Sequence, residues 1–204
     1  MYIPKPFQVT DEEEIAAFID SYNFAQLITV NNGAAQISHL PMLHDRGQNC
    51  LSGHLARANP HWRGLMDSEA LAVFTGPHAY VSPAWYRDSG VPTWNYTAVH
   101  VHGRIDLIES EPELREIVVG LTTKHEQNRP RPWTLDTLKP EIVASMLRNI
   151  VGFAIHIDRI EAKYKLSQNR SAADRSGVVA ALRDSDDSMG RELAAAMSNA
   201  SGTD

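Results

Sequence analysis

Ser52-Gly53-His54-Leu55-Ala56-Arg57-Ala58-Asn59-Pro60-His61-Trp62 is the stretch that decides how this chain is read. A strand over residues 49–55 runs into it. Asn59-Pro60 then opens a short helix, with asparagine as cap and proline at the first helical position. A strand ending on a helix start brings backbone N–H groups and Arg57 together, an arrangement suited to an anion and able to grip phosphate bidentately. The same pattern also describes an ordinary helix cap beside a solvated arginine. Neither a Walker sequence nor a GxGxxG fingerprint accompanies it.

The segments on either side are mostly strands. Residues 25–30 are β-branched and apolar, and Asn31-Asn32-Gly33 turns them into residues 35–43, the pattern of a hairpin. Further strands are expected over 70–75, 79–82, 92–108 and 153–164. In the long strand 92–108, Val99, Val101, Gly103, Ile105 and Leu107 alternate with Ala98, His100, His102, Arg104 and Asp106, which gives it one wet face. Helices are expected after Thr10, with Thr10 and Glu13 as a capping box, over 111–128 behind Ser110, and over 138–150. Strands do not alternate with crossover-length helices, so the pattern is a mainly β barrel with helical decoration and not a Rossmann sheet. Beyond about residue 171 the chain turns Ser-, Asp- and Ala-rich, with marginal helices at 176–182 and 189–197.

Composition narrows the function. The chain has 204 residues, is 43% hydrophobic and 22% charged, and carries a formal net charge of −6. That mixture is an ordinary globular one, and its sign works against broad attraction to a phosphate backbone. The single cysteine, Cys50, makes no internal disulfide and has no basic neighbour to activate it. The first seven residues hold two prolines and no apolar run, and no window approaches the ~20 apolar residues of a membrane span. A cytoplasmic protein is expected.

Two more clusters carry chemistry. Tyr80-Val81-Ser82-Pro83-Ala84-Trp85-Tyr86 and Val91-Pro92-Thr93-Trp94-Asn95-Tyr96 place aromatic rings beside prolines. Those rings serve either as stacking faces for a planar heterocycle or as a packing corner between strands. Lys163-Tyr164-Lys165-Leu166-Ser167-Gln168-Asn169-Arg170 follows the last strand, with cations and amides able to hold a phosphate or a ring's carbonyl edge, or to form a solvated exit loop. His100 and His102 share one side of a strand, but no third ligand stands at a metal-site spacing, so no metal is expected. A serine hydrolase is a poor reading, since no GxSxG elbow is present.

Together with the opening Met1-Tyr2-Ile3-Pro4-Lys5-Pro6-Phe7, these blocks occur in the order found in the PaiB family, which the chain resembles from Met1 to about Arg170. The resemblance implies a six-stranded, Greek-key FMN-binding split barrel over residues 1–170, followed by a helical or flexible extension over 171–204. It implies FMN at the interface of a homodimer, and a negative transcriptional regulator with DNA or a regulatory protein as partner. Carried over by position, Arg57 and Asn59 fall where split-barrel proteins hold phosphate, and His54 of the same block counts among the cofactor-binding residues. Ser82, Trp85, Thr93 and Trp94 flank the ring or ribityl chain, and Lys165 and Gln168 close the site from the partner subunit. Two alternatives stay open: an FMN-dependent oxidoreductase akin to flavin reductases or pyridoxamine-phosphate oxidases, and a haem-binding split barrel.

Overall fold

Strand propensity dominates the middle of the chain, and the computed structural model, which describes residues 1–66 and 68–200, gathers it into one sheet. The strands are β1 (Gln8–Val9), β2 (Phe24–Asn31), β3 (Ala34–Pro41), β4 (Leu43–Asp45), β5 (Cys50–Ala56), β6 (Ser68–Val81), β7 (Thr93–Ile108) and β8 (Ile150–Lys165). Their order is β3-β2-β6-β7-β8-β5-β4, with β1 paired to β8. The helices are α1 (Glu12–Ser21), α2 (Glu111–Glu126), α3 (Pro140–Leu147), α4 (Ala172–Arg183) and α5 (Ser188–Asn199).

The sheet has eight strands, where the family resemblance implied six. The two additions, β1 and β4, are two and three residues long, too short to leave a periodic signal. A change in the other direction occurs at Gly76-Pro77. This pair reads as a break, yet β6 runs through it unbroken. Buried residues fall at Ala70, Ala72, Phe74 and Gly76, then at Pro77, Ala79 and Val81, so the alternation slips by one at the glycine-proline step. That slip is the mark of a bulge, which is where a strand tolerates both residue types.

The β2–β3 hairpin forms as its sequence dictates. Asn32 and Gly33 both take positive φ (50° and 79°), the backbone that an Asn-Gly turn supplies at little steric cost. The first helix is capped one residue later than its sequence led us to expect. Asp11 Oδ1 accepts the Glu14 N–H at 2.9 Å, because a carboxylate is the better partner for free N–H groups at a helix start.

The chain divides into two compact units. One comprises residues 16–74 and 100–160, the other residues 1–15, 75–99 and 161–204. In the first, β2 pairs antiparallel with β3 and β6, and β5 pairs antiparallel with β4 and β8. Ile19, Leu27, Leu51, Phe74, Phe153 and Ile155 are fully buried there. In the second, Val178 and Leu182 of α4 and Leu193, Ala194 and Met197 of α5 form one apolar cluster with Ala79, Val81 and Leu166. The Ser- and Ala-rich tail therefore supplies half of a core, as two capped helices: Ser171 Oγ accepts from Asp174 N–H and Asp187 Oδ1 from Met189 N–H.

Candidate functional site

Within the second unit, strand pleat turns one side of β6, β7 and β8 toward its apolar cluster and the other side outward. Ala79 and Val81 point in; His78 and Tyr80, which alternate with them, are exposed. Asn95 and Thr97 are buried, whereas Trp94 is exposed and Tyr96 half-buried. Tyr164 packs on the core; its neighbour Lys165 is half-buried, whereas Lys163 is buried, with its Nζ donating to the Tyr2 carbonyl at 3.0 Å. The outward face thus carries aromatic rings from two strands and, at its edge, the half-buried Lys165 ammonium from a third.

These side chains converge. The Tyr80 ring meets Trp94 edge-on at 6.2 Å between centroids, and His78 lies 6.5 Å from the same indole. Lys163 Nζ stands 5.1 Å from the centre of the Tyr96 ring. Trp94 is 56% exposed and Tyr80 44%, which leaves indole and phenol faces open where a monomer normally covers them.

Lys165 is held at the edge of this face. Its Nζ donates to the Thr93 hydroxyl and, at 2.6 Å, to the Trp94 carbonyl. Burial lowers the Lys165 pKa below the ordinary lysine value, and the positive charges of Lys163 and Arg170 push it down further. Among the described residues, the charges that shift it are both positive. A cation starved of counter-charge is stabilised by whatever anion or carbonyl edge comes within reach.

The other expected residues of this unit act closer to the backbone. Ser82 Oγ accepts the Ala84 N–H at 3.2 Å and starts a single 3-10 turn, Pro83–Trp85. Trp85 packs partly buried against the α4–α5 cluster. Gln168 forms a clip: its Oε1 accepts Leu166 N–H at 2.7 Å and its Nε2 donates to Tyr164 C=O at 2.6 Å. The clip fixes the turn around Ser167, whose φ is 63°, directly after Lys165.

His54, Arg57 and Asn59 belong to the first unit. Arg57 is committed to three acceptors there: Nε donates to Arg148 C=O at 3.0 Å, and the two terminal nitrogens donate to Glu109 Oε2 at 2.9 Å and to Ile150 C=O at 3.1 Å. Its guanidinium ties β5 to the start of β8. Asn59 caps a 3-10 turn, Pro60–Gly64, by accepting His61 N–H at 3.0 Å, and donates to Ser38 Oγ at 3.1 Å. The buried His61 completes that network, with Nε2 2.9 Å from Thr29 Oγ1 and Nδ1 2.8 Å from Ser38 Oγ. The His54 side chain makes no hydrogen bond among the described residues; its Nδ1 is enclosed without a partner, and the ring lines an apolar cavity. The nine expected residues therefore fall in two sets, Thr93, Trp94 and Lys165 being in direct contact.

Residues 1–159 match the family described as "Putative FMN-binding domain". The chain is 39% identical over 200 residues to the Protease synthase and sporulation protein PAI 2 of Bacillus subtilis (strain 168), covering 97% of this chain and 96% of that protein. The chain belongs to the PaiB family. Its fold is that of the split-barrel flavoproteins. The structure of the FAD and heme binding protein from Mycobacterium smegmatis superposes with a TM-score of 0.62 at 18% identity, over 83% of this chain and 78% of that one. The flavocytochrome Anf3 from Azotobacter vinelandii superposes with a TM-score of 0.65 at 14% identity, over 83% and 75%.

FMN is the cofactor of this family, and the outward face of β6–β8 fits it chemically. Trp94 and Tyr80 offer planar faces for a flat heterocycle, and Lys165 offers a positive charge for an anion or a carbonyl edge. The sequence reading passed over His78, although its alternation with Ala79 and Tyr80 carried the signal: 78 and 80 share a face once the strand is continued past Pro77.

Proposed function

We propose that the chain binds FMN on the outward face formed by Trp94, Tyr80, Thr93 and Lys165, that two copies close over that face, and that the resulting homodimer acts as a negative regulator of transcription. The observation that supports the site best is Lys165: partly desolvated, repelled by two other cations and anchored beside an exposed indole. Bound FMN supplies reversible electron uptake. The chain's residues do the rest: Lys165 supplies the counter-charge, Trp94 and Tyr80 exclude water from one face of the ring, and the Gln168 clip keeps Lys165 in place.

The dimer is supported by the open aromatic rings, which a second copy would cover. The regulatory role is supported by the Bacillus relative's name as a protease synthase and sporulation protein. With a net charge of −6, a protein partner is favoured over extended contact with DNA. Purified protein titrated with FMN and followed by flavin fluorescence is the test; no saturable binding sinks the proposal. NAD(P)H turnover above that of free FMN would favour the oxidoreductase reading over the regulator.

A further inference from the structure

A second cavity, in the unit formed by residues 16–74 and 100–160, is unlike the flavin face in every respect. It measures about 260 Å³ and lies among α2, the segment leading into α3, α3 itself and the β5–β8 pair. Val118, Leu138, Val143, Leu147 and Ile150 form its walls, and Trp133 and Met146 stand at its mouth with 42% and 56% of their surfaces exposed. The segment bearing Trp133 is pinned by the Trp133 N–H, which donates to Glu126 Oε2 at 3.0 Å. Among the described residues no charged side chain lines the cavity; its polar groups are the His54 imidazole and, at the mouth, the Trp133 indole N–H.

Three physical points define what fits. An ordered water needs two to four polar partners, and apart from the Trp133 indole at the mouth the cavity offers it only His54, so apolar occupancy is favoured. A dry apolar cavity of ~150 Å³ is enough to hold benzene, and this one has room for a second fused ring. Burial also lowers the His54 pKa, so the imidazole is neutral at physiological pH and keeps one N–H and one lone pair. The enclosed Nδ1 has no partner, and an orphaned lone pair is more tolerable than an orphaned N–H. That cost assigns the proton to Nε2, which gives the cavity a donor besides the Trp133 indole N–H at its mouth.

We infer that this cavity is a binding site for a neutral one- or two-ring aromatic molecule with one oxygen acceptor, which His54 Nε2–H would hold. The inference rests on the cavity alone and not on the flavin reading: its walls include neither Trp94 nor Lys165. A regulator with such a site has a means of sensing a small hydrophobic effector separately from its cofactor.

The test is calorimetric titration of the purified full-length chain, as isolated, with a naphthol and with naphthalene up to its solubility limit. Expected is saturable one-to-one binding of both, with naphthalene weaker by about three- to tenfold, the worth of one hydrogen bond. His54→Phe should narrow the difference between the two probes while keeping the binding of naphthalene. Met146→Trp, at the rim, should weaken both, with thermal melts confirming that each variant is folded. Absence of binding for both probes, or binding that neither variant alters, overturns the inference. So does a Met146→Glu variant that turns a dimer into a monomer while the parent protein binds neither probe, because a second copy of the chain then covers the cavity. FMN titrations on the same samples report on the flavin reading independently.

Discussion

Lys165 Nζ donates to the Trp94 carbonyl at 2.6 Å, so the cation and the exposed indole of one face are coupled through a single backbone group. Moving either displaces the other. Lys165→Met keeps the length of the side chain and removes its charge, and we expect FMN affinity to fall by at least about tenfold, the scale of one charge-assisted contact. The affinity of the parent protein should also fall with rising pH. Lys165 starts from a pKa lowered by burial, then by Lys163 and Arg170, so it loses its proton before the ordinary lysine value of ~10.4 is reached. Flavin fluorescence titrations across the alkaline range check both expectations, and a pH profile of affinity that is the same in Lys165→Met as in the parent would remove Lys165 from the site.

The rings are expected to contribute less than the charge. Trp94→Ala and Tyr80→Ala each remove a stacking face worth about 0.5–1.5 kcal/mol, roughly a three- to tenfold loss of affinity. Both side chains point away from the α4–α5 cluster, so the melting temperature should hardly move. Light scattering on Trp94→Ala tests the dimer in the same samples, with a shift toward monomer as the expected result.

Much of this was open to sequence reading, and the exceptions share a cause. The Asn32-Gly33 hairpin, the Ser110 cap of α2 and the inward row Val99, Val101, Gly103 and Ile105 are local patterns, and local patterns are written in the residues that form them. The continuation of β6 through Gly76-Pro77 is not local. It depends on a neighbouring strand, with Thr97 Oγ1 donating to Pro77 C=O at 3.4 Å, a contact twenty residues away in the chain. Arg57 is similar: the sequence shows a cation at a helix start, but its acceptors at Glu109, Arg148 and Ile150 become visible only once β5 and β8 are paired.

That competition for Arg57 makes a prediction that separates frame from clamp. Arg57→Ala deletes two ties to backbone carbonyls, and the exposed ion pair with Glu109 adds little to them. A loss of about 1–3 kcal/mol is expected, read as a lower urea midpoint with an unchanged slope. Affinity of the folded protein for FMN should stay within about threefold of the parent. A tenfold loss would return Arg57 to the phosphate, as its position after β5 first implied.

The aromatic loop after β6 is latched by the C-terminal helices. Asp174 is 2% exposed, and its Oδ1 accepts the N–H groups of Arg87 and Asp88 at 2.8 and 3.1 Å. Gly177, one turn on, faces Trp85 so closely that an added Cβ would lie 2.2 Å from the Trp85 carbonyl oxygen. Asp174→Ala strands two donors and is expected to cost about 2–4 kcal/mol. Gly177→Ala must push the loop off α4. Both should expose residues 83–91 to proteolysis before the rest of the chain, and a cleavage pattern like that of the parent would mean that the loop holds its shape without the latch.

Three histidines give the fold an acid limit. Burial lowers the pKa of His44, His54 and His61 below the ordinary value, with Arg46 and Lys124 adding to the effect at His44 against Asp20 and Asp45. The unfolded chain therefore takes up protons more readily than the folded one, so their contribution to stability is fully present above the unfolded histidine pKa of ~6.5 and is lost as pH falls toward the lowered values. His61 is the most constrained of the three. Both its ring nitrogens lie within hydrogen-bond reach of hydroxyls, and protonation turns the acceptor nitrogen into a second donor, so one of the Thr29 and Ser38 hydroxyls must reverse its role. Urea denaturation between about pH 7.5 and 5 should show stability falling with pH, and His61→Gln, which cannot titrate, should flatten that fall while lowering stability at neutral pH. A slope unchanged by His61→Gln would assign the acid sensitivity to His44 and His54.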